Sequence, residues 1–245
     1  MIWTLLWLWG CGAKAAPPEA LPAIDPADGI AVQQELAESL VESGEADAAL
    51  LLVGQLREAG VRSADLDVLH ASALRQAGLT GLAEDKIDGV VDRHPRIAAA
   101  HAERGLLHME RGAPDAAAAS FAQAARLERD EADHLNNLGF ALLAAGRADE
   151  AVDPLLEALD LDTSLRVRTN LGLALAAAGR SDEALEVFGS VHDTDQALYL
   201  VAVGVELGGD TTEALAAYQA AATRFPDHAA AQRALARLSA NEEVP

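Results

Sequence analysis

Small and large apolar residues recur in a fixed order along most of the chain, from about Ile30 onward. A glycine returns at steps of 34, 34, 34, 33 and 30 residues, and a second small residue stands seven positions before each one. Five positions after each glycine comes an alanine, and four positions after that alanine comes a large apolar side chain. The i, i+4 spacing puts these last two on one helix face. With no run of alternating apolar residues, the pattern predicts an all-α chain of six helix pairs.

Each pair is expected to consist of a helix A, a glycine turn and a helix B. The glycine ends helix A, because a left-handed backbone is favourable there and glycine adopts it without strain. The small residues are expected where helices A and B cross, and the large side chains are expected to fill the space between repeats. The turn glycines are Gly44, Gly78, Gly112, Gly146, Gly179 and Gly209, and the large side chains are Val53, Ile87, Phe121, Leu155, Phe188 and Tyr218.

A helix–turn–helix unit with a period near 34 residues resembles the tetratricopeptide repeat. The fourth unit carries the resemblance best, with Leu138-Gly139, Gly146 and Ala151 on the family's pattern. The resemblance covers most of the chain and implies an α-solenoid of about six helix pairs at residues 30–240. As a guide to function it implies a shared scaffold and no particular activity.

The end of the solenoid is expected to be closed by a capping helix after Pro226. Because the last repeat has no neighbour, this helix needs a polar outer face, which Gln232, Arg233 and Arg237 would supply. Residues 241–245 are expected to form a disordered tail.

Two departures from the repeat pattern stand out. The fifth repeat is shorter than the others by about four residues, around positions 190–195. Pro154 falls inside the B helix of the fourth repeat, where it is expected to remove a backbone hydrogen bond or to bend the helix.

The first eleven residues differ from everything that follows. They are apolar, but too few to span a bilayer, which takes about 20 residues. Leu8-Trp9-Gly10-Cys11 resembles a bacterial lipobox, which implies a lipoprotein signal peptide at residues 1–10 and lipidation of Cys11. Residues 11–29, rich in proline and alanine, would then form a tether. The alternative is an unprocessed apolar N-terminus with an incidental cysteine.

Charge and composition narrow the classes of partner. The formal net charge is −21, which argues against nucleic acid as a partner, because phosphate contacts need clustered lysine and arginine. Cys11 is the single cysteine, so no intramolecular disulfide is possible. No Walker loop, dinucleotide fingerprint or G-x-S-x-G motif occurs, so no enzyme activity, cofactor or small-molecule substrate is predicted. His101 and His108 share a helix face, but without a third ligand at a helical offset no metal site is predicted.

The resemblance implies that the A helices line a concave wall, at positions ten, six and three residues before each turn glycine. These positions are polar in the first two repeats and largely apolar in the last four, which predicts a groove for a protein or extended peptide. The alternative is that Leu106, Phe140 and Leu173 pack against one another, and that the asparagines bond locally. The candidate groove residues are Leu106, Met109, Asn136, Phe140, Leu143, Arg166, Thr169, Asn170, Leu173, Tyr199 and Val203.

The combination of lipobox, size and six repeats resembles the tetratricopeptide lipoproteins that help assemble outer-membrane machines, such as the pilotins of type IV pili. The expected function is therefore a scaffold anchored by lipid in the bacterial envelope, facing the periplasm, with the outer membrane favoured over the inner. In this role it would assist the assembly of an envelope complex. The alternative is a soluble cytoplasmic scaffold or regulatory protein without lipid.

Overall fold

The computed structural model describes residues 29–242, which form thirteen helices and no strand. This confirms the prediction of an all-α solenoid of six helix pairs with a capping helix. The helices are α1 (Gly29–Glu42), α2 (Ala46–Glu58), α3 (Ala64–Gln76), α4 (Thr80–Arg93), α5 (Ala98–Glu110), α6 (Pro114–Leu127), α7 (Ala132–Ala144), α8 (Ala148–Leu161), α9 (Leu165–Ala177), α10 (Ser181–Gly189), α11 (Thr194–Leu207), α12 (Thr211–Arg224) and α13 (Ala229–Glu242).

The turn inside each pair depends on a left-handed glycine. At the end of α7, Gly146 has φ 73°. Its N–H donates to the Leu143 carbonyl (3.0 Å), and the Arg147 N–H donates to the Leu142 carbonyl (2.9 Å), as in a Schellman C-cap. This satisfies carbonyls that the helix end would otherwise leave unpaired. The same left-handed backbone, with φ between 68° and 88°, occurs at Gly44, Gly78, Gly112, Gly179 and Gly209.

The helices of one pair approach closely because the A helix has almost no side chain at the crossing. A Cβ built on Gly105 would lie 2.6 Å from the Phe121 ring, and one on Gly172 would lie 2.6 Å from the Phe188 ring. Gly139 in α7 is covered in the same way by Leu155 of α8. The sequence pattern predicted that these large side chains fill the space between repeats. That expectation was incomplete, because each also fills the hollow above the glycine of its own repeat.

In the first two pairs, the residue of helix A at the crossing is an alanine and not a glycine. These crossing residues are Ala37 and Ala71, and the matching B-helix residues are the β-branched Val53 and Ile87. All four side chains are completely buried. The sixth pair combines the alanine Ala202 with the buried Tyr218, so an alanine at the crossing accommodates B-helix side chains of different size.

The A helices form the inner wall of the solenoid. Most A helices of neighbouring repeats pack directly on one another, α1 on α3, α3 on α5, α7 on α9 and α9 on α11, whereas α5 and α7 are joined mainly through α6. Within the described helices, the B helices show no comparable packing on one another. The stack therefore curves towards the A helices, and a single apolar core continues from α6 to α13.

The departures from the repeat are visible in individual helices. The fifth repeat loses its residues from the B helix, because α10 has 9 residues where α8 has 14. Helix α8 runs without interruption through Pro154, which cannot donate to the Glu150 carbonyl. Helix α13 extends to Glu242 and so includes the first two residues of the predicted tail.

The predicted signal peptide, Cys11 and most of the predicted tether lie outside the described residues. Within residues 29–242, no helix has the length and apolar character needed to cross a membrane.

Two glycine substitutions should change stability in opposite directions. Gly139→Ala should lower the free energy of unfolding by about 1–3 kcal/mol, because the new methyl group must displace Leu155. Gly54→Ala should raise it by about 0.5–1 kcal/mol, because Gly54 is exposed inside α2 with no atom near its Cβ position. Urea denaturation followed by circular dichroism measures both.

The double variant Gly139→Ala/Leu155→Val should recover part of the lost stability, since it reproduces the alanine–valine pair that the first repeat has at its helix crossing. If Gly139→Ala were as neutral as an ordinary surface change, the crossing would not control the repeat.

Candidate peptide-binding groove

The exposed aromatic residue of the inner wall is Phe140. It lies on α7, and 46% of its surface is accessible to solvent. An aromatic ring of this kind on an interface is a common anchor, because it contributes a large contact area at a small cost in side-chain entropy. The prediction that position 140 belongs to an accessible wall agrees with this exposure.

The other apolar groove candidates are less accessible. Leu106, Met109, Leu173 and Val203 are half-buried and pack against the core cluster of α6–α13. This corresponds in part to the alternative that the stripe packs on itself. These side chains form a shallow floor on either side of Phe140.

Leu143 does not belong to the accessible surface. Only 7% of its surface is exposed, and it is part of the apolar core of α6–α13. The prediction of a ligand contact at this position is therefore wrong. The physical reason is that the last turn of α7 faces the neighbouring helices, so Leu143 points into the stack.

Asn136 and Asn170 form a hydrogen bond between neighbouring A helices. The Asn170 Nδ2 donates to the Asn136 Oδ1 at 2.9 Å, and Asn136 is only 2% exposed. Asn136 therefore ties α9 to α7 and is not available to a ligand, which corrects its assignment to the groove. Asn170 is half-buried, and its Oδ1 has no partner within the described part of the chain. This oxygen can accept a hydrogen bond from a peptide N–H.

The remaining polar candidates already have partners. The Arg166 guanidinium pairs with Asp133 on α7. The Thr169 hydroxyl donates to the Leu165 carbonyl of its own helix at 2.7 Å. Arg166 thus closes a second link between α7 and α9, and its charge is largely offset by Asp133.

A buried ionic network, which the sequence did not predict, joins the second and third repeats. Glu103 on α5 accepts from the Ser72 hydroxyl (2.7 Å) and the Arg75 Nε (2.6 Å). Arg75 also reaches Glu110 at 2.9 Å. Because Glu103 is buried, this network stabilises the stack and makes the wall polar at that end.

At the other end, Tyr199 and Val203 line a cavity of about 370 Å³ with Arg233 and Arg237 of α13. Arg237 Nη2 donates to both Glu206 oxygens at 2.7 Å. The sequence assigned these arginines to the outer face of the cap, but α13 takes the place of a seventh A helix and turns them towards the wall. The residue spacing could have predicted this position, because Arg233 and Arg237 follow Gly209 by 24 and 28 residues, as Asn136 and Phe140 follow Gly112.

Tyr218 completes this end of the wall. Its hydroxyl donates to the Glu206 carboxylate at 2.9 Å. Burial, followed by the hydrogen bond to Glu206, raises the pKa of Tyr218, so the phenol remains a donor at any physiological pH.

His101 has a structural role. Its ring is buried, and Nε2 lies 2.9 Å from the Pro95 carbonyl. Across residues 29–242, no group of three or more potential metal ligands comes together.

A second hollow lies on the outer face, between α6, α7 and α8, with a volume of about 630 Å³. Alanines of α6 and leucines of α7 form its floor, while Glu150, Asp153 and Glu157 stand on the α8 side. This hollow was not predicted, because it results from the spacing between B helices and not from any motif.

Two substitutions three residues apart should separate surface from core. Phe140→Asp should change the free energy of unfolding by no more than about 0.5 kcal/mol, because the ring is half in solvent. Leu143→Asp should lower it by about 3–5 kcal/mol, because the charge would be buried without a partner. Thermal or urea denaturation of both variants measures the difference, and equal losses would show that Phe140 is a core residue.

Comparison with known proteins agrees with the repeat pattern. The family model described as Tetratricopeptide repeat matches residues 68–127, 102–166 and 208–242, which together are more than half of the chain. Among curated proteins, none has a sequence that matches the chain.

Solved structures share the architecture. YrrB, described as a TPR protein with an unusual peptide-binding site, is 24% identical with a TM-score of 0.56, covering 70% of this chain and 91% of its own. PilF of Pseudomonas aeruginosa is 16% identical with a TM-score of 0.63, covering 86% of this chain and 99% of its own. MamA of Desulfovibrio magneticus is 16% identical with a TM-score of 0.56, covering 71% and 98%. At these identities the likeness shows the fold alone.

Proposed function

The chain belongs to the tetratricopeptide repeat family, and we propose that this interaction scaffold holds an extended segment of a partner protein along the inner wall of α5, α7, α9 and α11. The observation that carries the proposal is the exposure of Phe140 on that wall. Leaving an aromatic ring exposed to water is unfavourable, and a partner that covers Phe140 would gain the free energy of burying it.

The surroundings of Phe140 suit an extended peptide. Leu106 and Leu173 provide apolar surface in the repeats before and after it, so side chains of the partner can rest on either side of the ring. Asn170 offers a free amide oxygen for a backbone N–H. The cavity at Tyr199 supplies a further place for a side chain, at the C-terminal end of the wall.

The wall offers geometry for binding and no arrangement for a reaction. Tetratricopeptide proteins are in general scaffolds without catalytic activity, and most of the polar groups described above are already hydrogen-bonded or ion-paired within the solenoid. We therefore propose no reaction, cofactor or small-molecule substrate for this chain.

We further propose that the scaffold is held at the bacterial envelope by lipid on Cys11, with the solenoid facing the periplasm and the outer membrane favoured. Support for this comes from Leu8-Trp9-Gly10-Cys11 and from the proline-rich stretch that follows. In this arrangement the scaffold would assist assembly of an envelope complex. A soluble scaffold in the cytoplasm is the alternative.

The inner wall is tested by site-specific photo-crosslinking in the native host. A crosslinker at Phe140 should capture a partner, whereas one at Leu156 should not, although Leu156 of α8 is 42% exposed and Phe140 is 46% exposed. The captured protein should then bind Phe140→Ser about tenfold or more weakly than wild type, while Leu156→Ser binds normally. Capture from position 156 alone would place the interface on the outer face and overturn the proposal.

The anchor is tested separately by fractionation and intact-mass analysis. Wild-type protein should start at Cys11 with an acylated N-terminus, and Cys11→Ala should leave the membrane fraction almost completely, because no other anchor is proposed. Gly12→Ala serves as the control and should stay acylated. Membrane retention of the alanine variant would contradict the lipid anchor and leave the inner-wall proposal untouched.

A further inference from the structure

A recess on the outer side of the first two repeats concentrates positive charge. It lies between the end of α2, the start of α3 and the face of α4, and its volume is about 520 Å³. We call it the basic recess. Its charged lining consists of Arg57, Arg62, Asp67, Lys86 and Arg93.

The local balance of charge is opposite to that of the whole chain. Four fixed cations line the recess with a single carboxylate, an excess of three positive charges, in a protein with a formal net charge of −21. Lysine occurs at only two positions of the chain, and one of them, Lys86, is here. An acidic surface whose only role is to keep the protein in solution would not be expected to bring four cations into one recess.

Asp67 is shared by three cations and cannot neutralise them. Its carboxylate pairs with Arg57, while Arg93 Nη2 lies at 3.5 Å and Lys86 Nζ at 3.7 Å. Arg62 donates elsewhere, to the carbonyls of Arg57 and Val61 at 2.7 Å. The distances to Arg93 and Lys86 are long for charge-assisted hydrogen bonds, so both cations keep most of their capacity to bind an anion.

The pKa values of two side chains at or beside the recess, His70 and Lys86, are lowered. Burial, followed by the charges of Arg57 and Lys86, lowers the pKa of His70 to about 4. Burial, followed by the charge of Arg57, lowers the pKa of Lys86. Burial alone lowers the pKa of a histidine or a lysine, and the neighbouring positive charges act in the same direction.

The fold does not require this cluster. Two repeats further along, the residues at the same distances from the turn glycines as Arg57, Asp67 and Lys86 are Ala125, Leu135 and Pro154. Those three line the outer hollow between α6, α7 and α8. The same position of the solenoid is thus apolar in one place and basic in another, and the stack forms in both.

We propose that the basic recess binds an oxyanion of the phosphate class with at least two negative charges. Arg57 on α2 and Lys86 and Arg93 on α4 together offer more donor groups than one carboxylate can use, which suits a group with several acceptor oxygens and more than one negative charge. A doubly charged anion offsets most of the excess of three. This proposal goes beyond the scaffold function and does not rest on the inner wall.

Inorganic phosphate and pyrophosphate are the probes, added to the full-length protein at constant ionic strength. Both should raise the melting temperature and bind in isothermal titration. Arg93→Gln should weaken binding about tenfold or more, and it should cost little stability, because Arg93 is more exposed than Arg57 and Lys86. The matched control is Arg180→Gln, which removes one positive charge from an exposed pair on α10 and should leave phosphate affinity unchanged.

Asp67→Asn gives a test of opposite sign. If the recess is an anion site, removing the competing carboxylate should tighten phosphate binding. If the cations serve only to hold Asp67, this variant should lose stability and bind no phosphate. Absence of any phosphate effect in the wild type, or equal losses in Arg93→Gln and Arg180→Gln, would overturn the proposal.

A phosphate group can be free or part of a lipid headgroup, and vesicles separate these sources. Binding to phosphatidylglycerol vesicles, lost in Arg93→Gln and absent with phosphatidylcholine, would identify the headgroup as the source. Phosphate binding without vesicle binding would identify a free anion. The proposal fails if neither phosphate nor vesicles bind.

Discussion

The structure depends on one fit, repeated along the chain, between a residue without bulk on helix A and a large side chain on helix B. Gly139 under Leu155 and Gly172 under Phe188 show it most clearly. Because the hollow is filled completely, the angle and distance between the two helices are determined. The next pair can then stack in the same way, and the chain becomes a solenoid in which each repeat depends mainly on its neighbours.

This arrangement separates the surfaces on which function can reside. The A helices pack on one another and form the inner wall, where links such as Asn170–Asn136 and Arg166–Asp133 hold the repeats in register. The B helices stay apart and leave hollows on the outer side. Individual side chains then decide the character of each surface, which explains an exposed Phe140 on one side and a basic recess on the other.

The periodic features of the fold could be predicted from the sequence, because a glycine turn and a helix crossing impose the same residue type in every repeat. Features that depend on contacts between residues far apart in the sequence could not be predicted in this way. Position 143 follows the groove pattern but is buried, and Asn136 is engaged by Asn170, since both outcomes depend on how far the next A helix turns inward. To predict the inward position of Arg237, the capping helix would have had to be treated as a seventh A helix.

Solution NMR with ¹³C-labelled phenylalanine rings and a soluble paramagnetic agent can distinguish a ring that fills a helix crossing from a ring exposed on the inner wall. The rings of Phe121 and Phe188 fill helix crossings, whereas that of Phe140 lies on the accessible inner wall. Strong paramagnetic relaxation is expected for the Phe140 ring, and almost none for the rings of Phe121 and Phe188. A protected Phe140, or relaxation of the two crossing rings equal to that of Phe140, would contradict this expectation.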